Sequence, residues 1–311
     1  MTVIRRVRRA VALLLPVVLL AACGSGSPTG PRLLFAEDFT GSRLAAERWV
    51  TCYDWNVDGC TNAGNGEQQW YRPEQVRVSG GQAILSAVRR PTRGANHVVY
   101  PWASGMVSTG RPSWSGRPRF TFTYGRVEAE LLMPRAPNSF PAFWLMPASR
   151  YTPPEVDVVE LIGADDRARS TVHWRDPDGR PQAWVHESPA RDWSDRFHHF
   201  TLDWAPDRLT WWIDGEQVFT VTDPARVPNE PMEVLFTLAM GYPEPVPDHV
   251  HDAELRIRSV RVWAPRVRVR RRRVAHRVTR SGPPPDRGVP ARDRDVRAGA
   301  PGSAARPASP A

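Results

Sequence analysis

Three acids crowd one short stretch of this 311-residue chain: Glu155, Asp157 and Glu160 stand within Pro154-Glu155-Val156-Asp157-Val158-Val159-Glu160-Leu161-Ile162-Gly163. Carboxylates set among valines this closely repel one another, and a chain that keeps them loses stability unless something is gained. The available gain is separated ionisation. A carboxyl beside a carboxylate holds its proton to higher pH, so one residue type supplies both a proton donor and a base or nucleophile. Cleavage of a glycosidic bond needs such a pair. By composition alone an E-x-D-x-x-E match arises in roughly one chain of this length in fifteen, so its weight must come from its surroundings.

On an extended strand Glu155 and Asp157 share one face, with Val156 and Val158 on the other. Strict alternation sends Glu160 to the valine face, and a β-bulge after Asp157, adding one residue, returns it. A retaining mechanism needs the two carboxyls about 5–5.5 Å apart. At roughly 3.3 Å per residue the backbones of Glu155 and Glu160 are further apart than that, so their side chains must lean together over Asp157.

The elements that must hold this strand are short apolar, β-branched and aromatic runs between Gly, Pro, Asp and Asn. They include QVRVSG, QAILSAV, RFTFTYGRVEAELLMP, AFWLMP, EVDVVELIG, STVHW, HHFTLDW, RLTWWIDGEQVFTV, MEVLFTLAM and AELRIRSVRVW. Asp214-Gly215 between two of them is a hairpin signal, and Arg126–Leu131 alternates strictly. With no long amphipathic pattern among them, residues 33–265 are expected to form one all-β domain, a sandwich of two antiparallel sheets.

The ends of the chain have a different composition. Four arginines precede an apolar run from Ala10 to Ala22 that is too short for a membrane-spanning helix, so residues 1–22 are expected to be a signal peptide. Leu20-Ala21-Ala22-Cys23 resembles the lipobox of bacterial lipoproteins, which implies acylation at Cys23 and a lipid anchor on the outer face of the cell membrane. Residues 23–32 then read as a flexible tether. Of the three cysteines this leaves Cys52 and Cys60, expected as a disulfide in an oxidising compartment, with two buried thiols as the alternative. No His/Cys spacing suggests a zinc site, and neither metal nor cofactor is expected.

The net charge of +9 is unevenly placed. Residues 266–311 carry 13 arginines against three aspartates, whereas residues 24–265 hold 25 arginines against 30 acids, and no lysine occurs anywhere. The folded part is therefore mildly acidic, which argues against a nucleic-acid partner. The Arg/Pro/Ala-rich segment 266–311 is expected to be disordered, either touching anionic lipid or cell-wall polymer or merely solvated.

The pieces taken in order resemble glycoside hydrolase family 16, the laminarinase-type β-glucanases, over about residues 35–263. Besides EVDVVE they are Phe35-Ala36-Glu37-Asp38-Phe39, Asn65-Gly66-Glu67-Gln68-Gln69-Trp70-Tyr71, Ser104-Gly105, Tyr124-Gly125-Arg126-Val127-Glu128-Ala129, Pro141-Ala142-Phe143-Trp144, Thr171-Val172-His173-Trp174, Phe197-His198, Trp204 and Ile213-Asp214-Gly215. The resemblance implies a β-jelly roll of two curved antiparallel sheets and a monomer acting on a β-glucan polysaccharide. Glu155 would be the nucleophile, Glu160 the acid and base, and Asp157 the group tuning the nucleophile. Trp144 would stack on a sugar ring, His173 would reach the acids or the sugar, and Asn65 and Glu67 would line the sugar-binding end.

Some positions depart from the family pattern. Pro154 stands where Gly usually precedes the nucleophile, Arg150-Tyr151 occupy a region that usually holds a Trp, and Glu130 replaces a common arginine. Arg258 stands near an Asp that in many members helps bind calcium, which argues against calcium in the usual place. Linkage choice is expected in loops such as Pro91–Gly116. Three other readings remain beside hydrolysis: a carbohydrate-binding surface lipoprotein with little turnover, a surface or adhesion lipoprotein whose Arg-rich segment 266–311 is the working part, and a transglycosylase using the same carboxylates.

Overall fold

The computed structural model describes residues 30–53, 59–163 and 166–265. Cys23, the signal segment, most of the tether and the 266–311 segment lie outside the described residues, as does the separate unit Arg268–Ala311. In chain order the strands are β1 (Leu33–Glu37), β2 (Gln69–Tyr71), β3 (Val76–Val78), β4 (Ala83–Arg93), β5 (Val99–Ser104), β6 (Met106–Ser108), β7 (Gly125–Leu132) and β8 (Ser139–Pro147). There follow β9 (Glu155–Glu160), β10 (Arg169–Arg175), β11 (Pro181–Glu187), β12 (His198–Ala205), β13 (Arg208–Ile213), β14 (Glu216–Val221), β15 (Met232–Met240) and β16 (Asp252–Trp263). The helical elements among the described residues are three-residue 3-10 turns.

The strands form two sheets. The six-stranded one runs β11-β10-β9-β8-β15-β6. The ten-stranded one runs β14-β13-β12-β7-β16-β4-β5-β2, with β1 joining β16 and β3 joining β4. Pairing is antiparallel except between β2 and β5. The all-β jelly-roll expectation is met. Alternation explains the packing: on β7, Val127, Ala129 and Leu131 are fully buried while Arg126, Glu128 and Glu130 are not. The same rule sends Phe143 and Leu145 of β8, Val156 of β9 and Phe236 and Leu238 of β15 into the core between the sheets. Phe140, Ala142, Trp144 and Met146 of β8, with Leu235 and Ala239 of β15, go to the opposite face of the smaller sheet.

Two expectations need correction. The run from Arg119 to Pro134 is not one strand, because Tyr124 and Gly125 take φ of 61° and 134° and turn the chain before β7 begins. A Cβ on Gly125 would sit 2.1 Å from the Trp263 carbonyl oxygen, so only glycine lets β7 approach β16 there. The stretch Pro91–Gly116 is also not a loop throughout. It contains the end of β4 and all of β5 and β6, whose Trp102, Ala103, Met106 and Val107 are fully buried. The Asp214-Gly215 hairpin forms as expected, with both residues at positive φ, the paired left-handed conformation that a two-residue turn of this hand requires.

Candidate active site on the outer face of the smaller sheet

Strand β9 lies between β8 and β10, and both ladders slip by one residue beside it. Against β8, Phe143 faces Val159 but Trp144 faces Asp157. Against β10, Arg169 faces Glu160 but Thr171 faces Asp157. Val158 is the extra residue, so the bulge falls where the acid spacing requires it. Val156, Val158 and Val159 enter the core, and Glu155, Asp157 and Glu160 are left together on the outer face.

His173 of β10 points into this group, its Nε2 2.9 Å from Asp157 Oδ2 and 3.9 Å from Glu155 Oε1. Asp157 is 1% exposed. Burial lifts the Asp157 carboxyl to about 8. Burial and then the Asp157 carboxylate raise Glu155 to about 8, against the pull of His173. Glu160 is pushed well above the usual carboxylate range by burial, then by Asp157 and Glu155, with His173 and Arg169 opposing. Desolvation penalises the charged forms and neighbouring carboxylates repel, so the cluster keeps its protons to higher pH than free carboxyls do. The ligand atoms of Glu155, Asp157 and His173 lie within 4.8 Å of one another, close enough to surround a cation. Within that group His173 Nε2 and Asp157 Oδ2 are already hydrogen-bonded to each other at 2.9 Å.

Trp144 sits beside Asp157 in register, as expected for a residue on this face. It is only 9% exposed, because Tyr53, Tyr71, Met106 and Met146 pack around it, so it presents a strip of its ring and not a full face. Glu67 is also buried, its two oxygens accepting from Asn65 Nδ2 at 3.0 Å and Gln69 Nε2 at 2.6 Å. Burial raises its carboxyl to about 7 despite those bonds. Asn65 is exposed and Glu67 is not, so of the two only Asn65 has a free surface.

Tyr53 and Tyr71 carry part of the site, with little in the sequence to single them out. Their rings meet edge to face at 5.5 Å, and Tyr53 lies 6.4 Å from Trp144. Burial raises the Tyr53 hydroxyl well above its ordinary range, and the charges of Glu67 and Glu155 both add to the rise, so Tyr53 bridges the two acidic regions. The expected Cys52–Cys60 disulfide is formed, with Cα atoms 4.8 Å apart. It holds Tyr53 in place from the adjacent position, while the Cys60 carbonyl accepts from the Tyr71 backbone N–H at 2.7 Å. The signal for Tyr71 in the sequence is its place at the end of the Asn65–Tyr71 motif.

The departures from the family pattern are also positioned. Arg175 of β10 donates to the Thr152 carbonyl at 2.7 Å, tying the Pro153-Pro154 approach to the neighbouring strand. The Arg150 guanidinium lies over the Trp114 ring at 5.5 Å, and Tyr151 is exposed. Glu130 and Arg258 are partners, Nη1 to Oε1 at 2.5 Å, with the Arg258 guanidinium 3.7 Å from the centre of the Phe197 ring.

Comparison with known proteins agrees with this picture. The endo-1,3-1,4-beta-glycanase ExsH of Rhizobium meliloti is 29% identical over 222 residues, 67% of this chain and 46% of its own length. The beta-glucanase of Rhodothermus marinus is 29% identical over 213 residues, 64% of this chain and 66% of its own. The chain thus spans about half of the first relative and two thirds of the second. LamAcat from Zobellia galactanivorans superposes with a TM-score of 0.65 at 22% identity, over 75% of this chain and 97% of that one, which shows a common fold. The family model for glycosyl hydrolases family 16 matches residues 72–251, more than half the chain and the whole of the bulged strand with its three acids, and the protein belongs to that family.

Proposed function

We propose that this chain is a retaining, endo-acting glycoside hydrolase that cleaves β-1,3- or mixed β-1,3/1,4-glucan by double displacement. The observation that carries the reading is the bulge at Val158, which interrupts regular pairing on both sides of β9 and gathers three carboxyls on an outer face. In this reading Glu155 attacks the anomeric carbon as its carboxylate, having first lost its proton to solvent, and Glu160, kept protonated by burial and its two acidic neighbours, gives its proton to the departing glycosidic oxygen. The resulting glycosyl-enzyme is opened by water, with Glu160 now taking the proton. Asp157, protonated and bonded to His173, offers a hydrogen bond as Glu155 gains or loses charge. Relatives named as a β-glycanase and a β-glucanase support the substrate class.

The test is release of reducing ends from laminarin and from mixed-linkage glucan. Wild-type protein is expected to be active on at least one. Glu155→Gln and Glu160→Gln are expected to lose activity with unchanged circular dichroism. Wild-type protein inactive on every β-glucan offered overturns the reading. We further propose, from Leu20–Cys23, that the chain is exported and lipid-anchored, and separately that it acts as a monomer. A wild-type chain whose Cys23 carries no lipid by mass spectrometry, or one that elutes as a stable oligomer, would contradict it.

A further inference from the structure

A bulge frees backbone groups that a regular ladder would pair, and buried carbonyls must find donors elsewhere. On β9 both carbonyls at the bulge find side chains. The Trp211 indole N–H, reaching from β13 of the larger sheet, donates to the Asp157 carbonyl at 2.9 Å. The Ser170 hydroxyl of β10 donates to the Val158 carbonyl at 3.0 Å. Trp211 is fully buried and Ser170 is 1% exposed, so water does not compete for either bond. Neither side chain stands on the face that carries the acids: Trp211 belongs to the core between the sheets, and Ser170 alternates with Thr171 and His173, which flank Asp157 and Glu155.

We infer that Trp211 and Ser170 are positioning residues, a pair of donors that fixes the bulge from behind and thereby sets Glu155, Asp157 and Glu160 relative to one another. The inference rests on the hydrolytic reading above for its kinetic consequence. An ordinary strand needs no such donors, since its carbonyls are paired by its neighbours. Here two consecutive carbonyls are held by side chains from two different strands, and the residues between which they act are the acids themselves. Relaxing the bulge displaces Glu160 against Glu155, and misplacement of reacting groups by about 1 Å costs on the order of 100-fold in rate.

The experiment uses side chains of matched shape. Ser170→Thr keeps a hydroxyl, and Ser170→Val removes it at the size of threonine. Trp211→Phe removes the N–H, and Trp204→Phe is its control, because Trp204 is also buried and donates to the Pro228 carbonyl at 2.9 Å, away from β9. On laminarin, Ser170→Val and Trp211→Phe are expected to lower kcat by roughly tenfold or more, with KM within about threefold and a displaced pH profile. Ser170→Thr should retain most of kcat, and Trp204→Phe should lose thermal stability alone. Carboxyl-carbon NMR titration of Asp157 and Glu155 should show displaced midpoints in the same two variants, a readout that needs no turnover. The inference is overturned if Ser170→Val matches Ser170→Thr in both kcat and carboxyl titration. If Trp211→Phe fails to fold, the Thr/Val pair decides. A wild type that turns over no β-glucan defeats the functional reading, and the titration then decides the positioning role by itself.

Discussion

Replacing Glu155 by Gln should stabilise the protein, and increasingly so as pH rises. In the unfolded chain Glu155 ionises near 4.5, whereas in the fold it holds its proton to about 8, so between those values the native state binds a proton that the unfolded state has lost. Stability therefore falls as pH rises through that window and levels off above it. Moving the ionisation from 4.5 to about 8 disfavours the charged form by a ceiling of roughly 5 kcal/mol, at about 1.4 kcal/mol per pH unit. The side chain keeps 27% exposure. Water reaching it returns part of that energy, leaving about 2–4 kcal/mol. Glutamine has the shape of the protonated acid and never ionises. Melting curves of wild type and Glu155→Gln should nearly coincide at about pH 4.5 and separate by about 5–15 °C at about pH 8.5, using about 2–4 °C per kcal/mol for a domain of this size. A separation that is constant with pH, or a variant less stable than wild type at the higher pH, refutes the claim that burial and Asp157 hold this carboxyl protonated.

Two further outcomes follow from positions away from the acids. Cys52→Ser with Cys60→Ser should cost roughly 2–3 kcal/mol from the small loop released, read as a lower melting temperature that reductant reproduces in wild type. It should also lower kcat/KM on laminarin, since Tyr53 next to Cys52 packs on Trp144. Gly125→Ala should destabilise by roughly 3 kcal/mol or more, because a strained φ and a backbone clash add. Its Cβ would meet the Trp263 carbonyl oxygen at 2.1 Å, at a φ of 134° that suits no other residue. Chemical denaturation of the purified variant measures the loss.

The parts of the fold legible in the sequence are those where one residue type repeats with period two, or where a spacing has a single geometric solution. Arg126–Leu131 alternates because one of its faces is core, and the distance of three from Asp157 to Glu160 leaves a bulge as the way to share a face. β5 is hidden because Pro101 interrupts it, and β11 because it is an edge strand whose residues are nearly all solvent-exposed, so no apolar rhythm marks it. The face of Trp144 can be read from its strand, but its 9% exposure depends on Tyr53 and Tyr71, which arrive from outside that strand. Trp211 and Ser170 are invisible for the same reason: the partner of Trp211 lies 54 residues away, and nothing local distinguishes its indole from other core tryptophans.

The position of β16 sets the order in which the molecule can be completed. It lies between β7 and β4 in the larger sheet and also carries β1, yet it is the last strand along the described chain. While the chain is being synthesised, every strand that will surround the acids is available by Met240, but β4 and β7 face an empty slot, each with a row of unpaired N–H and C=O groups, until Trp263 has emerged. Such a slot is open to any extended segment, including one from a second nascent chain. A ribosome that stalls before Asp252 thus leaves a product with the strand that bears the three acids present and its supporting sheet unclosed, and the larger sheet is completed only when β16 enters its middle.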